Sequence, residues 1–430
     1  MHIELAYGKT GLGLDLPDGW PVTVVRKKTM PVCPDPAAAV RCALAAPVEA
    51  RPLEQEARGG RSACVLVCDI TRPVPNGLIL PAVVEALERG GIPRRRLTIL
   101  VATGLHRPNV GAELRELIGD ASIAAGVRIV NHDARCEADH AGLGTTSQGI
   151  PIRLDRRFLE AEVRVVTGLV EPHFMAGYSG GRKVIAPGIA HVETIARLHG
   201  GPLLADPRAA SGVLDGNPLH AAQLEIAARV GRVLAVNAVL DERRRLSAVT
   251  YGGLVPSHAR AVEFLRGFAE VVLPEPFPTV LTSSAGYPLD ATYYQTVKAM
   301  VGAAPIVAPG GHLFVASACS QGLGSPDFAA AQRRLVGGSP EQFLASALSR
   351  PSAEPDEWET HMLLRARRAV TLHLYAPALS DEDRRLTAVE PVAGGLAHAV
   401  LRQAWAAGDR RLAIIPEGPY VMPVLAARRS

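Results

Sequence analysis

Three short stretches of the chain place charged, imidazole and small residues where chemistry could be done. They are Asp69-Ile70-Thr71-Arg72-Pro73, Thr103-Gly104-Leu105-His106-Arg107-Pro108, and Glu171-Pro172-His173, which runs on into Ser179-Gly180-Gly181-Arg182-Lys183. The planar guanidinium of Arg72 suits a substrate carboxylate, which it can grip bidentately. Imidazole is the side chain poised near neutral pH, so His106 and His173 read as an acid/base pair. Adjacent glycines let backbone N–H groups approach an anion, and Arg182 and Lys183 add positive charge, so residues 179–183 read as a seat for a phosphorylated ligand. His199, in Arg197-Leu198-His199-Gly200, closes a helix; it either complements the helix dipole or ligates a metal with no second ligand at standard spacing. Singly, each residue has an ordinary structural explanation, such as a surface ion pair or a strand-end hydrogen bond. Together, a carboxylate clamp and two bases suggest inversion at a carbon beside a carboxylate. The α-proton of a 2-hydroxy acid is only weakly acidic, so a hydride carrier would make that inversion feasible. Gly8-Lys9-Thr10 is no phosphate loop, because Ile3 stands where the upstream glycine is required.

The elements that must position these residues alternate between strand and helix. Short apolar runs at 63–69, 97–103, 163–169 and 232–240 read as buried strands, and 80–89 and 218–230 as helices. A further helix at 256–271 leads through a proline-rich stretch into a second series, with strands expected at 279–283, 312–316, 370–375 and 412–415. The pattern predicts an α/β fold: two α/β domains with largely parallel sheets and an active-site cleft between them. The expected division is 1–272, carrying the acid/base motifs, and 273–430, with the last ~20 residues open to returning to the first domain. The first 60 residues are expected to decorate the first domain. In open parallel sheets ligands sit beyond the carboxyl ends of the strands, which is where the three polar stretches fall.

Composition narrows the class. The chain has 430 residues, 48% hydrophobic and 20% charged, with mean hydropathy +0.14, enough for sizeable cores. Its net charge of +4 is too balanced to point to nucleic acid. Only five of the 46 basic residues are lysine: Lys9, Lys27, Lys28, Lys183 and Lys298. Six cysteines without a CxxC pair, no leader-like N-terminus and no long uncharged apolar run predict a reduced, cytoplasmic protein with no membrane span.

On segments 69–73 (DITRP), 102–108 (ATGLHRP), 171–188 (EPHFMAGYSGGRKVIAPG) and 286–298 (GYPLDATYYQTVK), the sequence resembles the nickel-pincer-nucleotide lactate racemase family. The resemblance implies an isomerase that racemises or epimerises a 2-hydroxy acid by proton-coupled hydride transfer, through a bound 2-keto acid. It implies a pyridinium-3,5-bisthiocarboxylic acid mononucleotide holding nickel through two sulfurs and a ring carbon, tethered covalently at Lys183, with His199 as the fourth nickel ligand. It carries the acid/base roles to His106 and His173, the carboxylate contact to Arg72 with Asp69 beside it, and further substrate contacts to Tyr294, Gln295, Lys298 and Trp358. Enzymes that make the cofactor follow as partners, with no nucleic acid and no membrane. Met175 stands where the motif commonly has an aromatic and Thr292 where asparagine is frequent. Both bear on pocket shape, so the resemblance extends to a 2-hydroxy acid and not to lactate in particular.

Two other readings are open to the same residues. A nicotinamide-dependent 2-hydroxy-acid dehydrogenase needs a GxGxxG after a strand with an acidic residue ~20 positions on, and the chain has none. A non-catalytic binder of a nickel cofactor would not need histidines at both acid/base positions.

Overall fold

The two series of strand–helix alternation give two six-stranded sheets. The computed structural model describes residues 1–119, 123 and 125–428. One compact unit is formed by Thr29–Leu198 and Arg208–Gly267, and a second by Met1–Lys28, His199–Pro207 and the chain from Phe268 onward.

In the first unit the strands lie in the order Leu246–Gly253, Leu234–Leu240, Val163–Leu169, Ala63–Cys68, Leu97–Ala102, Arg128–Asn131. All neighbours run parallel except the first pair, which is antiparallel. The inner strands are covered on both faces, which is why they read as unbroken apolar runs rather than alternating ones. Val65, Val67, Ile99, Val101, Val165 and Val236 share one core with Ile79, Leu80, Val83 and Leu87 of the helix Asn76–Arg89. Successive strands run outward from Ala63–Cys68 to one edge, and the chain then crosses to build the other side from Val163–Leu169. The order therefore reverses between these two paired strands, and such a reversal opens a crevice at their carboxyl ends. Asp69 and Arg72 follow one strand and Glu171 and His173 the other.

The second unit has the order Glu390–Pro391, Thr371–Tyr375, Val307–Ala316, Phe277–Ser283, Leu412–Ile415, Val22–Val24, all parallel. Here the structure departs from the expected division. Residues 29–60 do pack with the first unit, but residues 1–28 belong to the second, where Val22 pairs with Leu412. A three-residue edge strand has no periodicity to read, and its partner lies near the far end of the chain. His199–Pro207 also belongs to the second unit. The end of the chain stays there too, with Met422–Leu425 paired to Glu270–Leu273. No helix among the described residues is long and apolar enough to cross a membrane.

A buried polar network ties down the segment that follows Lys183. Asp155 is fully buried, accepts from Arg157 at 2.5 Å and lies 3.1 Å from His132 Nδ1. Its N–H donates to the Ile189 carbonyl, and His132 Nε2 lies 3.1 Å from the Ala190 carbonyl oxygen. Burial alone would raise the Asp155 carboxyl, but hydrogen bonds from Arg157 and His132 outweigh it and hold it down at about 2. A carboxyl depressed in the folded state contributes stability above its unfolded pKa and loses it as pH falls through the folded one. Asp155→Asn is therefore expected to cost about 2–3 kcal/mol at neutral pH. In chemical denaturation curves that difference should shrink as pH falls from about 4 towards 2.

Candidate active site

At the crevice of the first unit, the Asp69 carboxylate is buried and fully engaged. Thr71 donates to Oδ1 from both its hydroxyl, at 2.5 Å, and its backbone N–H, at 3.2 Å, while Oδ2 lies 2.5 Å from His106 Nδ1. Burial works to raise Asp69, but the hydrogen bond and charge of His106, then Thr71 and Arg72, hold it below the ordinary carboxylate range. An ionised carboxylate only accepts, so His106 Nδ1 carries a hydrogen, and in the neutral ring it is Nε2 that keeps a lone pair. Asp69, expected as a substrate contact, holds the His106 ring with Nδ1 towards it.

His173 is set the other way. It sits in a tight hairpin, Pro172–His173 against Gly177–Tyr178, and its Nδ1 accepts from the backbone N–H groups of Met175 at 3.4 Å and Ala176 at 3.2 Å. The neutral ring therefore carries its hydrogen on Nε2. In their neutral forms the two imidazoles thus hold opposite tautomers, with a bare Nε2 on His106 and a protonated Nε2 on His173.

Arg72 forms an ion pair with Glu171 across the crevice, through Nη1 and Oε1. Burial lowers the guanidinium, and Glu171 together with Cys68 and Asp69 more than restores it. Glu171 is itself fixed, since its N–H donates to Ser179 Oγ at 3.0 Å and its carbonyl accepts from Ser179 N at 3.0 Å. One Nη is thereby occupied and the guanidinium is held in one orientation.

The glycine-rich loop does different work from that expected. Ser179 Oγ donates to the Leu169 carbonyl at 2.7 Å, and Gly181 N donates to Asn237 Oδ1 at 3.2 Å, so both serve the loop itself. Gly180 has φ +77° and Gly181 +49°, and a Cβ on Gly181 would lie 2.9 Å from the His258 ring. The pair is needed for close packing. Arg182, expected to present its charge to a ligand, is turned inward with 1% of its surface exposed. Its Nη2 donates to the Ala176 carbonyl at 2.7 Å and its Nη1 lies 3.1 Å from His258 Nε2. Burial pulls this guanidinium down to about 9. Lys183, the next residue, is only partly buried and stands on the short helix Arg182–Ile185.

The other expected residues gather within the second unit. Tyr294, Gln295 and Lys298 lie on the helix Tyr293–Ala303, and Trp358 lies on Glu357–Ala369, which packs against it. Lys298 Nζ donates to Gln295 Oε1 at 2.5 Å and sits 5.9 Å from the Tyr294 ring centre. Trp358 Nε1 donates to the Tyr294 hydroxyl at 3.3 Å, and the Trp358 ring lies 4.4 Å from that of His199. Thr292 turns out to be the N-cap of the first helix, accepting from Gln295 N. Asparagine and threonine both cap helices well, so either residue serves helix initiation at this position. Met175 is buried, its carbonyl accepting from Asn217.

Residues 7–212 match the lactate racemase N-terminal domain and residues 274–422 the lactate racemase C-terminal domain. The lactate racemase of Thermoanaerobacterium thermosaccharolyticum is 32% identical over 368 residues, 85% of each chain. That of Lactiplantibacillus plantarum is 30% identical over 338 residues, 78% of this chain and 77% of its own. The chain belongs to the lactate racemase family. It is thereby an isomerase, and lactate racemase family members are nickel-dependent. The apoprotein structure of the T. thermosaccharolyticum lactate racemase superposes with a TM-score of 0.90 at 29% identity, covering 98% of this chain and all of the other. A protein from Thermotoga maritima, 17% identical, shares the fold at a TM-score of 0.67 over 90% of this chain and 98% of its own.

Glu171, which the structure pairs with Arg72, stood in the motif without a role; its spacing two residues before His173 was the available signal. For the loop, Gly181→Ala combines a left-handed φ with overlap on His258, and is expected to cost about 2–4 kcal/mol. Thermal unfolding, with Gly231→Ala (φ +84° but open space around it) as the control, measures the part due to packing.

Proposed function

We propose that this chain interconverts the two enantiomers of a 2-hydroxy acid, with lactate, the substrate named for its relatives, the first candidate. The observation that supports this best is the pair of opposite tautomers at one crevice, beside an arginine held for a carboxylate. Arg72 would bind the substrate carboxylate with the part of the guanidinium that Glu171 does not use. His106 Nε2 takes the proton of the 2-hydroxyl as the C2 centre is oxidised towards a 2-keto acid, and Asp69 stabilises the imidazolium that results. His173 Nε2 supplies a proton to the keto oxygen when the other face is reduced. The two rings then exchange roles for the reverse direction, because the hydroxyl of each enantiomer points a different way.

Two residues have the chemistry that a nickel-pincer nucleotide would need from the protein. Lys183 offers an amine to a covalent tether at the end of a loop whose Ser179 hydroxyl and Gly181 N–H are already used within the fold. His199 offers an imidazole nitrogen, a donor suited to nickel. When bound, the cofactor supplies the hydride-accepting chemistry that no side chain here can provide. Cofactor-making enzymes are the partners this requires.

The test is to co-express the chain with the cofactor-making enzymes, supply either enantiomer of lactate and of longer 2-hydroxy acids, and separate the products by chiral chromatography. Each enantiomer is expected to give the mixture; conversion of none would overturn the reading. His106→Ala should lower the rate at least about 100-fold. Asp69→Asn, which spoils the tautomer and leaves the ring in place, should lower kcat about 10- to 100-fold with KM little changed. Intact mass analysis should find Lys183 modified.

A further inference from the structure

The hairpin that carries His173 is held at three successive carbonyls. Met175 accepts from Asn217 Nδ2 at 3.0 Å, Ala176 from Arg182 Nη2 at 2.7 Å, and Gly177 from the Gly212 N–H at 3.0 Å. The first differs from the others, because the Met175 carbonyl belongs to the same peptide unit as the Ala176 N–H, which reaches His173 Nδ1 at 3.2 Å. Asn217 is fully buried, and its amide has one possible orientation. Oδ1 accepts from Leu219 N at 3.0 Å and His220 N at 3.2 Å, capping the helix Pro218–Val230, while Nδ2 donates to the Met175 and Val213 carbonyls, each at 3.0 Å. Turned over, the amide would set donors against donors and acceptors against acceptors. The segment comes this close because residue 177 is glycine at φ +77°; a Cβ there would lie 2.3 Å from the Val213 carbonyl oxygen. Capping needs only the side-chain oxygen, which serine or aspartate would supply as well. The donor half of Asn217 is what the cap does not require.

We propose that Asn217 is a positioning residue for His173, its Nδ2–H holding and polarising the Met175–Ala176 peptide so that the ring keeps its hydrogen on Nε2. This rests on the reading of His173 as an acid/base group. A carbonyl that accepts a hydrogen bond makes the N–H of its own peptide a stronger donor, and the effect is largest where water is excluded. Met175 and Ala176 are both buried, so the peptide draws on protein partners. Of the two N–H groups that meet Nδ1, that of Ala176 is the nearer, and it is the one Asn217 acts on.

Asn217→Ser and Asn217→Asp keep an oxygen for the cap and remove the donor; aspartate, being the same size, does so without opening a cavity. Ile226→Ala, fully buried on the same helix, is the control that weakens packing and leaves the bond in place. Nitrogen-15 histidine NMR of the full chain without cofactor at about pH 8, with His173→Gln to assign the signal, reads the tautomer. In both Asn217 variants the ratio of Nε2–H to Nδ1–H at His173 is expected to fall about fivefold with His106 unchanged, whereas Ile226→Ala should lower the melting temperature and leave both rings as in wild type. In the cofactor-loaded enzyme Asn217→Ser should lower kcat about fivefold, with KM changed by less than about twofold. A wild-type ratio at His173 in either folded Asn217 variant, or an equal shift in Ile226→Ala, would overturn the proposal. If the wild-type holoenzyme racemises no 2-hydroxy acid, the reading of His173 as an acid/base group fails, while the tautomer ratio still decides whether Asn217 sets it; an active enzyme with an unmoved ratio sinks this proposal alone.

Discussion

Asp69 is committed before any substrate arrives. Two groups of Thr71 hold one of its oxygens, and the other accepts from His106, so the imidazole has one tautomer and one orientation. The chemistry proposed for the first unit depends on that bond. Without it, Nε2 of His106 would be a lone pair for only part of the time, and the ring would swing on an exposed loop. Burial makes the bond effective: the carboxylate stays ionised against the cost of desolvation because His106, Thr71 and Arg72 surround it. The reversal of strand order puts this dyad opposite Glu171 and His173, on the adjacent strand's end. His173 receives the other tautomer from two backbone N–H groups of its own hairpin, which need no second carboxylate. One sheet thus presents an acceptor nitrogen and a donor nitrogen, the pair the proposed reaction calls for, through two unrelated local devices.

Much of this was legible in the sequence because it is local. Buried parallel strands are unbroken apolar runs, and polar residues placed just after them must lie at carboxyl ends, so Arg72, His106 and His173 could be assigned to one edge of one sheet. What the sequence hid was decided by partners far away in the chain. Nothing near Arg182 says that it will turn inward to His258 and the Ala176 carbonyl. An Arg-Lys pair after two glycines looks like an anion seat whether the arginine points in or out. The Val22–Val24 strand and the His199–Pro207 segment join the second unit through pairing and packing that no window of sequence contains. Asp69 and Glu171 were visible as residues, but their roles depend on which atoms they meet.

The scarcity of lysine takes on meaning in the same way. Arginine meets nearly every need for a cation here, including the buried strut at Arg182 and the clamp at Arg72. Lys183 and Lys298 are the exceptions within the motifs. The first stands where the proposed cofactor tether calls for an amine able to form a covalent bond. The second is a compact ammonium set between Gln295 and a tyrosine ring, where a planar fork would not fit the same contacts.

The central claim is that the two histidines of the first unit hold opposite tautomers. Nitrogen-15 histidine NMR of the protein at about pH 8, above the ordinary imidazole range, reads this directly. His106→Gln and His173→Gln assign the two signals. The account predicts a protonated Nδ1 and bare Nε2 for His106, with the reverse for His173. The same tautomer on both rings would contradict it.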